Sequence, residues 1–183
     1  MNIKQILFLS VCVSIPVTAM AHDILGFPRH KGVEPLKNST YQQNCAECHF
    51  AYQPGLLPAR SWAKLMQRSE LANHFGENAE VPEADRLTIE AFLTQNGADT
   101  TWHYKRSIKI NQSIPDDVTP MRITQVPYFK KKHGEIPRKM IEENARVRSL
   151  SYCNKCHTEA HEGVFDNGTV DIPNFRNWDD LID

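Results

Sequence analysis

The sequence predicts a mostly α-helical fold, made of small helical units joined by long irregular connections and falling into two unequal parts. Three observations predict it. Short amphipathic runs recur along the chain, with apolar residues three and four apart and Ser, Thr or Pro at their starts; strand-like alternation is scarce. Eleven prolines interrupt the chain too often for long regular elements. One pentapeptide pattern, Cys-x-x-Cys-His, occurs twice, as Cys45-Ala46-Glu47-Cys48-His49 and Cys153-Asn154-Lys155-Cys156-His157. Little around the two copies resembles an internal repeat, so two unequal units are expected and not a duplication.

The chain opens on Lys4, a short apolar core from Ile6-Leu7-Phe8-Leu9 to Val13, and Ala19-Met20-Ala21. This is the layout of an export signal with an A-x-A cleavage site. Ser10, Ser14 and Pro16 interrupt an apolar run already too short to span a bilayer. Residues 1–21 are therefore expected to be a signal peptide; the rival reading is an uncleaved amphipathic anchor. Cleavage starts the mature chain at His22. It removes Cys12, which lies in no lipobox, and leaves only the four cysteines of the pentapeptides. It also removes Lys4 and no acid, so the mature chain is one charge more acidic than the −1 of the whole. That balance is no nucleic-acid footprint. No later segment is long and apolar enough to be transmembrane.

Residues 22–39 read as an irregular lead-in. Ser39 or Thr40 is expected to cap a helix running through the first pentapeptide. Pro54, Gly55 and Pro58 make residues 52–58 a loop. Ser61 is a cap for a short helix with Trp62, Leu65 and Met66 on one stripe. Gly76 predicts a turn beside His74. Pro82, Glu83 and Asp85 start a further helix, with Leu87, Ala91 and Phe92 as its apolar face and Gly97 at its end. Residues 40–97 thus form one small helical unit. Residues 98–120 read as a polar connection. Pro127 begins a short helix through Lys130-Lys131-Lys132-His133, stopped by Gly134 and Pro137. Residues 137–150 read as helical, with Met140, Ile141 and Val147 facing a core. Gly163, Gly168 and Pro173 mark turns, and the tail carries Asp179, Asp180 and Asp183.

The pentapeptides carry the chemistry. Two thiols one helical turn apart can add to the two vinyl groups of one porphyrin, and the following His then lies under the iron. Cys45 and Cys48, and Cys153 and Cys156, are therefore expected to attach two covalent haems c, with His49 and His157 as proximal ligands. The export signal agrees, because bacterial c-type haem is attached outside the cytoplasmic membrane. A haem is a large apolar body, so it compensates for a small core and stabilises the fold by linkage. Six of the eight histidines remain for the distal positions: His22, His30, His74, His103, His133 and His161. If a helix continues past His157, His161 falls on the proximal face and is a poor distal ligand. His74 follows the first pentapeptide across a loop long enough to pass a porphyrin edge. His133 precedes the second and stands at a helix end. His103 is a reserve for either iron. Of the methionines, Met66 and Met140 fit core stripes, and Met121 is the rival sixth ligand.

The sequence also resembles a known family, the bacterial dihaem cytochromes c often called DHC. The matching stretches are the Cys45 pentapeptide with Phe50-Ala51-Tyr52, Leu56-Leu57-Pro58-Ala59-Arg60-Ser61-Trp62 and His74-Phe75-Gly76-Glu77-Asn78-Ala79. They continue with Ala98-Asp99-Thr100, Lys105-Arg106-Ser107, Arg122-Ile123-Thr124, Lys132-His133, Ile136-Pro137, and the Cys153 pentapeptide with Gly163, Phe165 and Ile172-Pro173. The resemblance implies a periplasmic electron carrier with two low-potential haems, both bis-histidine. It implies a membrane cytochrome b as donor and a small soluble monohaem cytochrome c as acceptor. By position the family's distal histidines map onto His74 and His133. Residues 22–105 are then an N-terminal haem domain resembling a class I cytochrome c, and residues 106–183 a C-terminal haem domain. Lys130, Lys131, Lys132, Arg138 and Lys139 are candidates for a basic docking patch. Electron transfer, not substrate turnover, is the expected function. The alternatives are a dihaem peroxidase or small-molecule reductase, and a haem-based sensor; each needs an open axial position.

Overall fold

The computed structural model describes residues 30–175. The expected signal peptide and the acidic tail lie outside the described residues. Among the described residues six α-helices occur in the order α1 (Ser39–Cys45), α2 (Ala59–Leu65), α3 (Arg68–Ala72), α4 (Glu83–Gln95), α5 (Lys105–Ser113) and α6 (Pro127–His133). Among the described residues there is no strand, only isolated bridges. No helix among them is long and apolar enough to cross a membrane.

Helix α1 begins one residue earlier than its expected caps. Asn38 is the N-cap, its side chain accepting from the Tyr41 amide at 2.7 Å. The helix also stops at Cys45 instead of running through the pentapeptide, whose remaining residues form a turn. The expected loop at 52–58 is interior: a 3₁₀ turn at Pro54–Leu56 lies buried, and the Trp62 indole donates to the Pro54 carbonyl at 2.7 Å. In α2, Trp62, Leu65 and Met66 form the expected buried stripe. Ser61 does not cap this helix; it is buried within it. The α2 N-terminus is instead capped from across the fold, where Asp99 Oδ1 accepts from the Ala59 amide at 2.7 Å.

Helix α4 starts as expected after Pro82, but its buried face is Ile89 and Leu93, while Leu87 is 52% exposed. The face turns because α4 packs across both α1 and α2, and Phe92 meets Tyr41 with ring centres 6.1 Å apart. Gly97 matters for close approach: a Cβ there would stand 2.7 Å from the Ala59 nitrogen. Residues 98–120 are not merely a connection. They hold α5, which buries Ser107 and Ile110 with Ile114 just beyond its end. Helix α6 starts at Pro127 and ends at Gly134 as expected.

These helices enclose one apolar cluster from Val33 to Val126. A smaller cluster comprises Met140, Ile141, Val147 and Ile172. Met140, Ile141 and Val147 are buried as expected and Ile172 joins them, but the helix over 137–150 is absent: one 3₁₀ turn at Arg138–Met140 gives way to turns. The buried Asn144 amide holds them, donating to the Pro173 carbonyl at 2.7 Å and to Met140 at 3.3 Å. The start and end of the described chain meet where Val33 N donates to the Gly163 carbonyl at 2.9 Å. Gly163, at φ 73°, passes so close to the Val33 carbonyl that a side chain has no room.

Candidate functional site

The two pentapeptides adopt different local structures. Cys45 closes α1, whereas Cys153–Lys155 is a single 3₁₀ turn continued by a 2.8 Å bond from His157 N to the Cys153 carbonyl. The C-terminal segment straps the second one in place: Asp171 N donates to Cys156 O at 2.8 Å and Thr158 N to Thr169 O at 3.0 Å. None of the four cysteines is in a disulfide. Burial pushes the thiols of Cys45 and Cys156 up to about 11 and that of Cys153 up to about 12.

The fold brings the histidines together in two pairs. His49 and His74 face each other with ring centres 6.4 Å apart and planes 26° apart. His157 and His133 have centres 6.1 Å apart and planes at 69°. Two imidazole nitrogens on opposite sides of one metal, each bonded at about 2 Å, put ring centres roughly 6 Å apart. Both pairs have that spacing.

Second contacts orient these rings. His49 Nδ1 lies 2.8 Å from the Phe50 carbonyl, and His133 Nδ1 lies 3.0 Å from that of Phe129. A carbonyl only accepts, so each Nδ1 carries the proton and each Nε2 keeps its lone pair for a metal. The Phe129 ring also stacks on His133 at 3.9 Å. In the opposite members of the pairs, His74 and His157, Nδ1 is buried without a protein partner. Such an orphaned polar atom costs about 1–3 kcal/mol unless something else satisfies it. Burial, then the neighbouring imidazole, holds His157 down to about 4 and lowers His74, so both stay neutral near pH 7.

His74 is held by a tight turn. Its amide donates to Glu77 O at 2.7 Å, and Phe75 adopts a left-handed φ of 58° under the Arg122 guanidinium, 3.6 Å from the ring centre. A non-glycine residue in that region costs about 1–3 kcal/mol, and such strain clusters at functional sites.

A cavity of about 400 Å³ opens between His133 and His157, lined by Cys153 and Cys156 and by apolar residues that include Ile123, Val126 and Phe165. Its size lies in the range of small-ligand sites, about 300–1,000 Å³. Arg106 is in its wall, paired with Asp166 at 3.0 Å, while its buried Nε has no partner. Thiols, facing imidazoles, apolar lining and a guanidinium with one buried N–H still unsatisfied together fit a covalently attached haem with acidic substituents.

The other histidines stand elsewhere. No helix continues from His157, so the premise used against His161 fails. A separate 3₁₀ turn at Ala160–Glu162 brings His161 against Phe50, ring centres 5.1 Å apart. His30 and His103 gather at Tyr104, 5.1 and 4.7 Å away. Met121 packs on the large cluster. Sequence reasoning did not single out Tyr52, Arg106 or Arg122 for the sites.

Comparison with known proteins agrees with this chemistry. The family model for dihaem cytochrome c matches residues 41–165. The solved diheme cytochrome type c from Shewanella baltica OS155 is 37% identical, covering 77% of this chain and 97% of its own, with TM-score 0.62. The diheme cytochrome c from Rhodobacter sphaeroides is 40% identical, covering 73% and 100%, with TM-score 0.63. None of the curated protein sequences matches the chain.

Proposed function

The chain belongs to the dihaem cytochrome c family, and from that premise we propose an exported electron carrier in which His49 and His74 hold one iron and His157 and His133 the other. Membership implies two covalently bound c-type haems, and the four pentapeptide cysteines are there to receive them. The observation that carries the ligand assignment is the pair of imidazole spacings, 6.4 and 6.1 Å.

Bound there, haem supplies one-electron chemistry. The protein does the rest. His49 and His133, each donating Nδ1–H to a carbonyl, present a basic Nε2 in a fixed orientation. His49 with His74, and His157 with His133, would hold the two irons and leave neither open to a substrate. Two imidazoles also favour a lower potential than His/Met ligation. The apolar part of the second cavity's lining offers a low-dielectric surface to the macrocycle. The leader at 1–21 supports export to the periplasm, with electrons arriving from a membrane cytochrome b and leaving to a small soluble monohaem cytochrome c.

Low-temperature EPR of the oxidised protein tests the ligation. Two low-spin ferric signals are expected, with no high-spin signal. The crossed imidazoles of the second site, at 69°, should give the more anisotropic signal, and the near-parallel pair of the first, at 26°, the less anisotropic one. A stoichiometric high-spin iron that binds carbon monoxide would replace the carrier reading with an open-site enzyme or sensor.

A further inference from the structure

Residues 50–53, just after the first pentapeptide, reach across to the segment that carries the second. Phe50 meets His161 edge-on at 5.1 Å. The Gln53 side chain, 0% exposed, donates to the Ala160 carbonyl at 2.5 Å. Tyr52 does something neither of these side chains does. Its ring stacks on His49, centres 4.8 Å apart and planes 25° apart, and its hydroxyl donates to the Ser151 carbonyl at 2.9 Å. Ser151 lies two residues before Cys153. One side chain therefore reaches from a proposed iron ligand of the first site to the attachment run of the second.

Beside these contacts the seam opens. A cavity of about 300 Å³ separates much of it, with Cys48 and His49 on one side and Tyr152 and Asn154 on the other. Across that gap, a stacked ring and one hydrogen bond form a compact path of atoms in contact.

We propose that Tyr52 is a positioning residue that joins the two haem sites, orienting His49 through its ring and coupling that site to the Cys153 run through its hydroxyl. The inference rests on the carrier reading above. In the step it serves, one iron gives up an electron and the other takes it. Tyr52 keeps its proton and is neither oxidised nor reduced.

The test uses the full dihaem protein. It is reduced by one electron in a fast pulse, and the redistribution of that electron between the haems is followed optically, beside EPR of the oxidised form. Tyr52→Phe keeps the stack and removes the hydroxyl. It should retain both low-spin signals and slow the redistribution severalfold. Tyr52→Leu removes both contacts, should slow it at least as much, and should shift the EPR signal of the His49 site alone. Tyr41→Phe is the control. It deletes the 3.0 Å bond from the Tyr41 hydroxyl to the Tyr52 carbonyl, loosening the Tyr52 backbone while leaving its ring stack and its own hydroxyl bond in place, and should leave the rate at the wild-type value. A wild-type rate in Tyr52→Phe, an unchanged EPR signal in Tyr52→Leu, or equal slowing in Tyr41→Phe would each overturn the proposal. The carrier reading is judged separately, by the spin state of the unmutated protein.

Discussion

His74 and His133 are where residue chemistry can be tested most directly. His74→Ala removes one imidazole of a 6.4 Å pair and leaves the 6.1 Å pair intact. One of the two haems should turn high-spin and bind carbon monoxide while the other keeps its spectrum. Low-spin spectra from both haems in that variant would mean that a different side chain completes the site, and His161, which shares a cavity wall with His49, would be tested next. His133→Met should keep a six-coordinate iron and raise the potential of that haem alone, since a thioether favours the reduced state; spectroelectrochemical titration reads it. At this scale the sequence is legible where covalent spacing dictates chemistry, in the four cysteines with His49 and His157. It ranks His74 and His133 first but cannot place them, because loops decide which imidazole meets which. It is silent on the carbonyls of Phe50 and Phe129 that set the tautomers of His49 and His133, since every residue has a carbonyl. It is equally silent on Tyr52, whose two contacts follow from no spacing.

Elements were legible in existence more than in role. The starts of α4 and α6 follow from Pro82 and Pro127: Pro127 occupies the first turn of α6, and Pro82 stands just outside α4, followed by the acidic Glu83 and Asp85 of its first turn. The wrong face of α4 follows from reading one helix alone: Leu87 and Ile89 are equally apolar, and only packing on α1 and α2 selects Ile89. Helix α5 was hidden by its charges, since Lys105, Arg106 and Lys109 surround the buried Ser107 and Ile110. In residues 137–150 the apolar positions predict burial correctly, yet Asn144 gives the backbone a side-chain partner that suits turns. The cap on α2 is the clearest case of tertiary structure supplying what local sequence lacks. Pro58 offers no side-chain acceptor, and Asp99 arrives from beyond α4, seated by the Gly97 approach. Asp99→Ala should therefore cost about 1 kcal/mol, as loss of an N-cap does. A urea midpoint lowered at unchanged slope, with both haem spectra intact, is the expected result; an unchanged midpoint would mean that water replaces the carboxylate without loss.

Taken whole, the molecule is two apolar clusters of modest size around two pairs of imidazoles, with the surface charge unevenly placed. Lys130, Lys131 and Lys132 are exposed at the end of α6, and Lys105 and Lys109 are exposed on α5, which packs against it. Lys109 and Lys132 also line the cavity of the second iron site. The basic face therefore borders the second cavity, although the chain as a whole carries a net charge of only −1. A local field of that kind acts on encounter more than on affinity, steering an acidic partner into orientation before contact. Its reach is set by salt: between about 0.01 and 0.1 M the screening length falls from about 30 to about 10 Å. The second-order rate of electron transfer to an acidic monohaem cytochrome, measured by stopped flow, should fall across that range. Lys131→Glu, pointing away from the cavity lining, should lower the low-salt rate and flatten the salt dependence while leaving both haem potentials in place. A rate independent of salt, and indifferent to Lys131→Glu, would place the docking surface away from α5 and α6, at an uncharged haem edge.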